Sequence, residues 1–221
     1  MFKGCTSLVS PPELPATYIG VEGYSNMFSG CTSLTTIPNL PALDLNSKCY
    51  ENMFNGCTSL VNAGIDLPAT TLKDYCYRSM FYNCSSLTIV PRMLATQLAY
   101  WCYSSMFSGC TSLIVAPELP ITKLANGCYR YMFEKCTSLT TAPVLPALAL
   151  VSNCYYYMFW GCTSLNYIKA MFTSPPNTAY TNSWVYGVAE NGTFVKNVIA
   201  TWNSIGDYAI PSGWTVETAS S

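Results

Sequence analysis

Met-Phe recurs at positions 1, 27, 53, 80, 106, 132 and 158, so the chain repeats itself every 26 residues with a single interval of 27. A period in the range of about 20–50 residues marks a solenoid or array, because one such unit cannot bury its own apolar face. The clearest unit runs Met106-Phe107-Ser108-Gly109-Cys110-Thr111-Ser112-Leu113, then Ala116-Pro117-Glu118-Leu119-Pro120, then Leu124 and Cys128-Tyr129. The 27-residue interval carries its extra residue near Gly64-Ile65. Six full units and part of a seventh fill residues 1–171. Met1-Phe2 falls in mid-unit, which reads as a fragment with any export signal upstream.

Each unit predicts a short helix. In the segment Ser47 to Gly56, Ser47 suits an N-cap, as do Asp74, Asn126 and Ser152 at the equivalent positions, with Tyr100 and Val21 as exceptions. Cys49 and Met53 lie four apart, as do Tyr50 and Phe54, so the four form one apolar stripe on a helix. Gly56 supplies a left-handed residue to end it, as do Gly4, Gly30, Gly109 and Gly161. After the helix, segments such as Leu34-Thr35-Thr36-Ile37 read as strands of two to four residues, because a proline follows at once (Pro38, Pro91, Pro117, Pro143). About eight inward apolar side chains per unit, each contributing roughly 1.5–3 kcal/mol when fully buried, must find cover on neighbouring units.

The pattern Phe-x-Gly-Cys-Thr-Ser-Leu, followed by a short apolar strand, a proline and a return leucine, resembles the BspA-like leucine-rich repeat over residues 1–171. The unit is about three residues longer than the usual one, with Cys-Tyr opening the helix and Met before Phe. The resemblance implies an α/β solenoid: a right-handed leucine-rich-repeat superhelix with short parallel strands on one face and short helices on the other. It also implies a surface or secreted protein of an anaerobic bacterium, some relatives of which serve adhesion to host matrix proteins or other cells. Residues 172–221 break the period. Ser174-Pro175-Pro176-Asn177 reads as a turn or linker, and Trp184 to Val188, Gly192 to Val195 and Trp214 to Val216 read as short strands of a β-rich C-terminal cap, with a small separate binding module as the alternative.

Twelve cysteines invite a disulfide framework. Helix geometry argues against one: Cys49 and Cys57 would stand about 12 Å apart at 1.5 Å per residue, whereas bridged α-carbons lie within about 7 Å. The first column (Cys5, Cys31, Cys57, Cys84, Cys110, Cys136, Cys162) occupies a position where leucine-rich repeats often place Asn or Cys against loop backbone. The second column is Cys49, Cys76, Cys102, Cys128 and Cys154. All twelve are expected to be structural, unbridged thiols.

No chemistry-bearing constellation emerges. There is no histidine, no pair of cysteines at zinc-ligand spacing, no phosphate loop and no nucleophile elbow. Catalytic, cofactor-binding and metal-ligating residues are therefore expected to be none, and no cofactor is expected. Ten basic residues against eleven acidic ones exclude a basic nucleic-acid-binding stripe. No apolar run is long enough to span a membrane.

The aromatic residues are the least ordinary feature. The column Tyr24, Tyr50, Tyr77, Tyr103, Tyr129, Tyr155 should pack beside the core. The outward helix face turns from Lys48, Glu51, Asn52, Asn55 to Tyr75 and Tyr82, then Trp101, Tyr131, Tyr156, Tyr157 and Trp160. Such a patch is a partner contact, a floor over which the C-terminal cap folds back, or idle exposure. The outward strand positions Thr36, Asn62, Ile89, Val115, Thr141 and Tyr167 look poor in anchors. The expected function is a non-enzymatic binding or adhesion module, extracellular or on a bacterial cell surface. Its expected partner is a protein or glycan, met through Tyr75, Trp101, Tyr131, Tyr156, Tyr157 and Trp160. A structural spacer and a host-recognition part of a phage tail are the alternatives.

Overall fold

The computed structural model describes residues 1–219. The chain winds into a stack of coils of about 26 residues, joined by parallel pairing throughout. β1 (Tyr18–Ile19) pairs with β2 (Asp44–Leu45), and β3 (Asp66–Leu67) pairs with β4 (Arg92–Met93). β5 (Tyr167–Ala170), β6 (Thr193–Lys196) and β7 (Thr215–Thr218) form a three-stranded sheet. Single bridges Thr36 to Asn62 to Ile89, and Val115 to Thr141 to Tyr167 at the start of β5, pair the coils in parallel at another position of the unit.

The expected helices are absent from the repeats. Among the described residues the one α-helix is α1, the four-residue turn Thr178–Thr181, so the architecture is an all-turn-and-strand solenoid and not α/β. Where a helix was expected from Ser47 to Gly56, the backbone divides its hydrogen bonds. Lys48, Tyr50, Asn52, Phe54 and Gly56 donate N–H across to Asp74, Cys76, Arg78, Met80 and Tyr82 of the next coil at 2.8–3.0 Å. The residues between them close local turns, with Glu51 donating to Lys48, Met53 to Tyr50 and Asn55 to Asn52 at 3.1–3.2 Å. Every fourth residue is left-handed: Lys48 (φ 58°), Asn52 (φ 55°) and Gly56 (φ 73°). The physical reason is spacing. Stacked rings of successive coils lie 5.4–6.2 Å apart. Helices pack at 8–10 Å, so only a strand-like backbone fits that separation.

This arrangement gives a sign test at Ser105, which has φ 55° and would sit mid-helix in the alternative. Ser105→Gly should raise stability by about 1 kcal/mol, the usual relief of a left-handed residue that is not glycine. In a helix the same change would cost roughly 0.5 kcal/mol. A urea melt of the pair distinguishes the two.

The core is a set of columns. Phe28, Phe54, Phe81, Phe107, Phe133 and Phe159 stack at 5.5–5.8 Å, all fully buried. The tyrosine column is itself core: Tyr50, Tyr77, Tyr103, Tyr129 and Tyr155 are at most 2% exposed, and only Tyr24 is partly open. Beyond residue 171 the chain goes on stacking, with Asn153, Tyr155, Tyr157, Phe159 and Gly161 donating to carbonyls from Ala179 to Tyr186. Trp184 to Val188, expected as a strand, is turn through Gly187 and irregular at Val188 because it continues the ribbon, whereas β6 and β7 form at the other two expected strands. Trp184 ends the tyrosine and phenylalanine columns, packed on Tyr155, Phe159 and Phe172, with its indole N–H donated to Ala209 O at 2.9 Å, and Phe194 and Trp202 carry the core on beyond it.

Candidate functional site

The left-handed ribbon positions project side chains outward, and four of the six aromatic candidates occupy them: Tyr75 (φ 59°), Trp101 (φ 52°), Tyr131 (φ 55°) and Tyr157 (φ 55°). Tyr156 and Trp160 flank the last of these, so all six lie on one face. Each is half-buried, because the rings lie against one another and along the ribbon. Tyr75 is 6.0 Å from Trp101, Tyr131 is 5.6 Å from Tyr156 and 5.2 Å from Tyr157, and Tyr157 is 6.3 Å from Trp160.

Trp101 and Tyr131 make two separate groups, and Arg130 joins them. Its guanidinium carbon lies 4.6 Å from the Trp101 ring centre, 4.8 Å from Tyr131 and 4.3 Å from Tyr156. Gly127 makes room: a β-carbon there would lie 2.6 Å from the Trp101 indole. Arg78 covers Trp101 at 5.4 Å and pairs with Glu51 at 3.3 Å. Lys135 lies over Trp160 at 5.2 Å. Among the described residues Arg130 and Lys135 have no carboxylate partner, and the buried Nε of Arg130 has no hydrogen bond. Cation–π contacts of this kind contribute about 0.5–1 kcal/mol each when exposed and about 2 when desolvated.

The C-terminal segment does not fold back over this face. It continues the stack, and Tyr186, 51% exposed, lies 5.9 Å from Trp160 and lengthens the aromatic row. Sequence reasoning did not pick out Arg130, Lys135, Tyr100 or Tyr186. The available signal was position, since Arg130 precedes Tyr131 in the unit directly after Trp101. Away from this face, the strand-face candidates are bridged in two groups, Thr36–Asn62–Ile89 and Val115–Thr141–Tyr167, with Ile89 50% and Val115 70% exposed. That face holds more exposed aliphatic surface than its sequence suggested.

The thiols lie inside. Eleven are buried and Cys5 is exposed, and all twelve are free. In the first column Cys31, Cys57, Cys84, Cys110, Cys136 and Cys162 donate S–H to the carbonyl of the Phe in the preceding coil at 2.9–3.2 Å. Burial pushes their ionisation up, to about 12 for Cys57, and it does the same for Cys49, Cys102 and Cys154 in the second column. Thiols held neutral in this way are poor nucleophiles and poor metal ligands. No group of three or more His, Cys, Asp or Glu among the described residues is placed to hold a metal ion.

The family described as the BspA type leucine rich repeat region matches in six copies, over residues 1–114 and 80–209. The chain belongs to this family. No curated protein matches it, and no solved structure does. Among the described residues of this BspA-type chain, no helix is long and apolar enough to cross a membrane.

Proposed function

We propose that this BspA-type chain is a non-enzymatic binding or adhesion module of a bacterial cell-surface or secreted protein. It would engage a protein or glycan partner through the face of Tyr75, Trp101, Tyr131, Tyr156, Tyr157 and Trp160. The observation that carries this reading is the choice of residue at the left-handed positions. Asn and Gly adopt that backbone at least cost, and other coils use them there, as at Asn52, Gly127 and Asn153. Tyr or Trp at Tyr75, Trp101, Tyr131 and Tyr157 costs local stability and gives broad aromatic surface in return, the residue class that dominates interface energetics. The unpaired cations among the rings add a polar handle. The family is typically associated with bacterial surfaces, which supports the proposed location.

The test is a pair of double variants assayed on matrix-protein and glycan panels. Tyr131→Ala with Trp160→Ala should lose at least tenfold in affinity, as removal of two anchors does. Thr141→Ala with Tyr167→Ala should bind as the parent does. Loss confined to the second pair would move binding to the strand face. No binding by the parent would leave the spacer as the better reading.

A further inference from the structure

The stack is split on its strand side between the coil of Met80 and the coil of Met106. On either side of this boundary the strand-side backbone is joined, by β3 with β4 on one side and by the Val115–Thr141 bridge on the other. Among the described residues, no backbone hydrogen bond links residues 86–99 with residues 114–125. The two coils are held there by the ribbon side and by the turn, where Ser112 donates to Ser85 O at 3.1 Å. The tyrosine column widens here, from 5.6 Å between Tyr77 and Tyr103 to 6.1 Å between Tyr103 and Tyr129, and stays wide at 6.2 Å between Tyr129 and Tyr155.

The opening is a groove of about 830 Å³, within the range of about 300–1,000 Å³ common for ligand sites. One wall is β4 and its continuation through Thr96. Arg92 and Leu94 turn their N–H groups back to Ile65 O and Leu67 O at 2.9 and 3.3 Å. In a parallel ladder alternate residues face opposite neighbours, so Met93 and Ala95 present their backbone groups to the groove. The other wall carries Pro117 and Pro120, which have no N–H to donate and so cannot close the ladder. Val90, Leu94 and Ile121 supply apolar lining. The charges at the groove are unequal. Arg92 is held by Asp66 through two bonds of 2.7 Å, whereas Glu118 on the opposite wall is exposed and has no ion pair among the described residues.

The geometry points to a binding site for an extended peptide segment of a partner protein, seated between β4 and Pro117–Ile121. The peptide adds a strand to the free edge at Met93 and Ala95, continuing the ladder that joins β3 to β4. An aliphatic side chain enters among Val90, Leu94 and Ile121, and a Lys or Arg nearby pairs with Glu118. Backbone pairing of this kind provides affinity, while alternate side chains provide selectivity. The site lies on the strand side and does not depend on the aromatic face.

A random dodecapeptide phage-display library selected on the full chain tests this. Enriched sequences should alternate aliphatic residues with Lys or Arg. Synthetic copies should slow amide exchange at Met93 and Ala95 on binding. Glu118→Lys, a change at an exposed position, should weaken those peptides at least tenfold and restore binding to copies with Glu in place of Lys. Ala95→Pro, which removes one groove-facing N–H, should abolish binding; because Ala95 is buried, its melt is compared with the parent's and the exposed Glu118→Lys swap carries the test if it has fallen. Trp160→Ala should have no effect. No enrichment over bare support would overturn the proposal. So would binders indifferent to Glu118→Lys that leave those amides unprotected. Sedimentation showing the chain paired with itself through this groove would assign it to a second copy and overturn the peptide reading.

Discussion

Raising the pH above about 9 in the presence of reductant should unfold this protein abruptly. Eleven thiols are shifted upward by burial from an ordinary value near 9. Each folded thiol holds its proton where the unfolded one releases it, so above pH 9 the unfolded state binds fewer protons and stability falls as pH rises. Stability is complete below the unfolded value and is lost progressively toward the folded one, near 12 for Cys49, Cys57, Cys102 and Cys154. Each such group contributes a slope of about 1.4 kcal/mol per pH unit once fully above its unfolded value. Eleven together give on the order of 15 kcal/mol per unit, as large as the whole stability of an ordinary domain. Buried Tyr77, Tyr103, Tyr129 and Tyr155, also raised by burial, steepen the loss above pH 10. Near-ultraviolet circular dichroism, taken after equilibration at each pH, should show one cooperative transition between about pH 9 and 10. A native signal persisting to pH 11 would contradict the burial of the two cysteine columns.

Phe107→Ala should cost about 3–5 kcal/mol, the usual loss for emptying a fully packed aromatic site. Phe107 is fully buried and stacked on both sides, 5.7 Å from Phe81 and 5.8 Å from Phe133. Phe2 is only partly buried and has one stacking neighbour in the column, Phe28 at 5.5 Å. Phe2→Ala should therefore cost well under half as much. Denaturant melts of the two variants test whether stability follows position in the stack, as nearest-neighbour coupling between coils requires. Equal losses would argue against it.

The stacking itself was legible from the recurrence of Met-Phe, and so were the inward residues. The backbone that carries them was not. Cys49, Met53 and Tyr50, Phe54 repeat every four residues, and over so short a segment a period of 4.0 and one of 3.6 place the same side chains inward. The separating sign was Cys57, eight residues beyond Cys49 and equally buried. On a helix it would stand about 80° around from Cys49. Asn26, Asn52 and Asn83 with Gly30, Gly56 and Gly109 also carried the signal, since Asn and Gly favour the left-handed conformation these positions adopt. The aromatic face was visible because its members are large and outward at a fixed phase of the unit. Arg130 was not, because its role depends on Gly127 letting the Trp101 ring lie flat across a neighbouring coil. The groove beside β4 escaped notice for a related reason. It arises where a strand edge with donors meets a coil whose prolines have none, a mismatch between units that no single unit displays.

The stacked ribbon is defined by where its N–H groups point, and scalar couplings across hydrogen bonds read this directly. In deuterated, isotope-labelled protein, the Tyr50 amide nitrogen should couple to the Cys76 carbonyl carbon, and Asn52 to Arg78, in line with their 2.9 Å bonds to the next coil. Couplings from Tyr50 to Asn46 and from Asn52 to Lys48 would instead mean a helix, and would contradict the stacked ribbon.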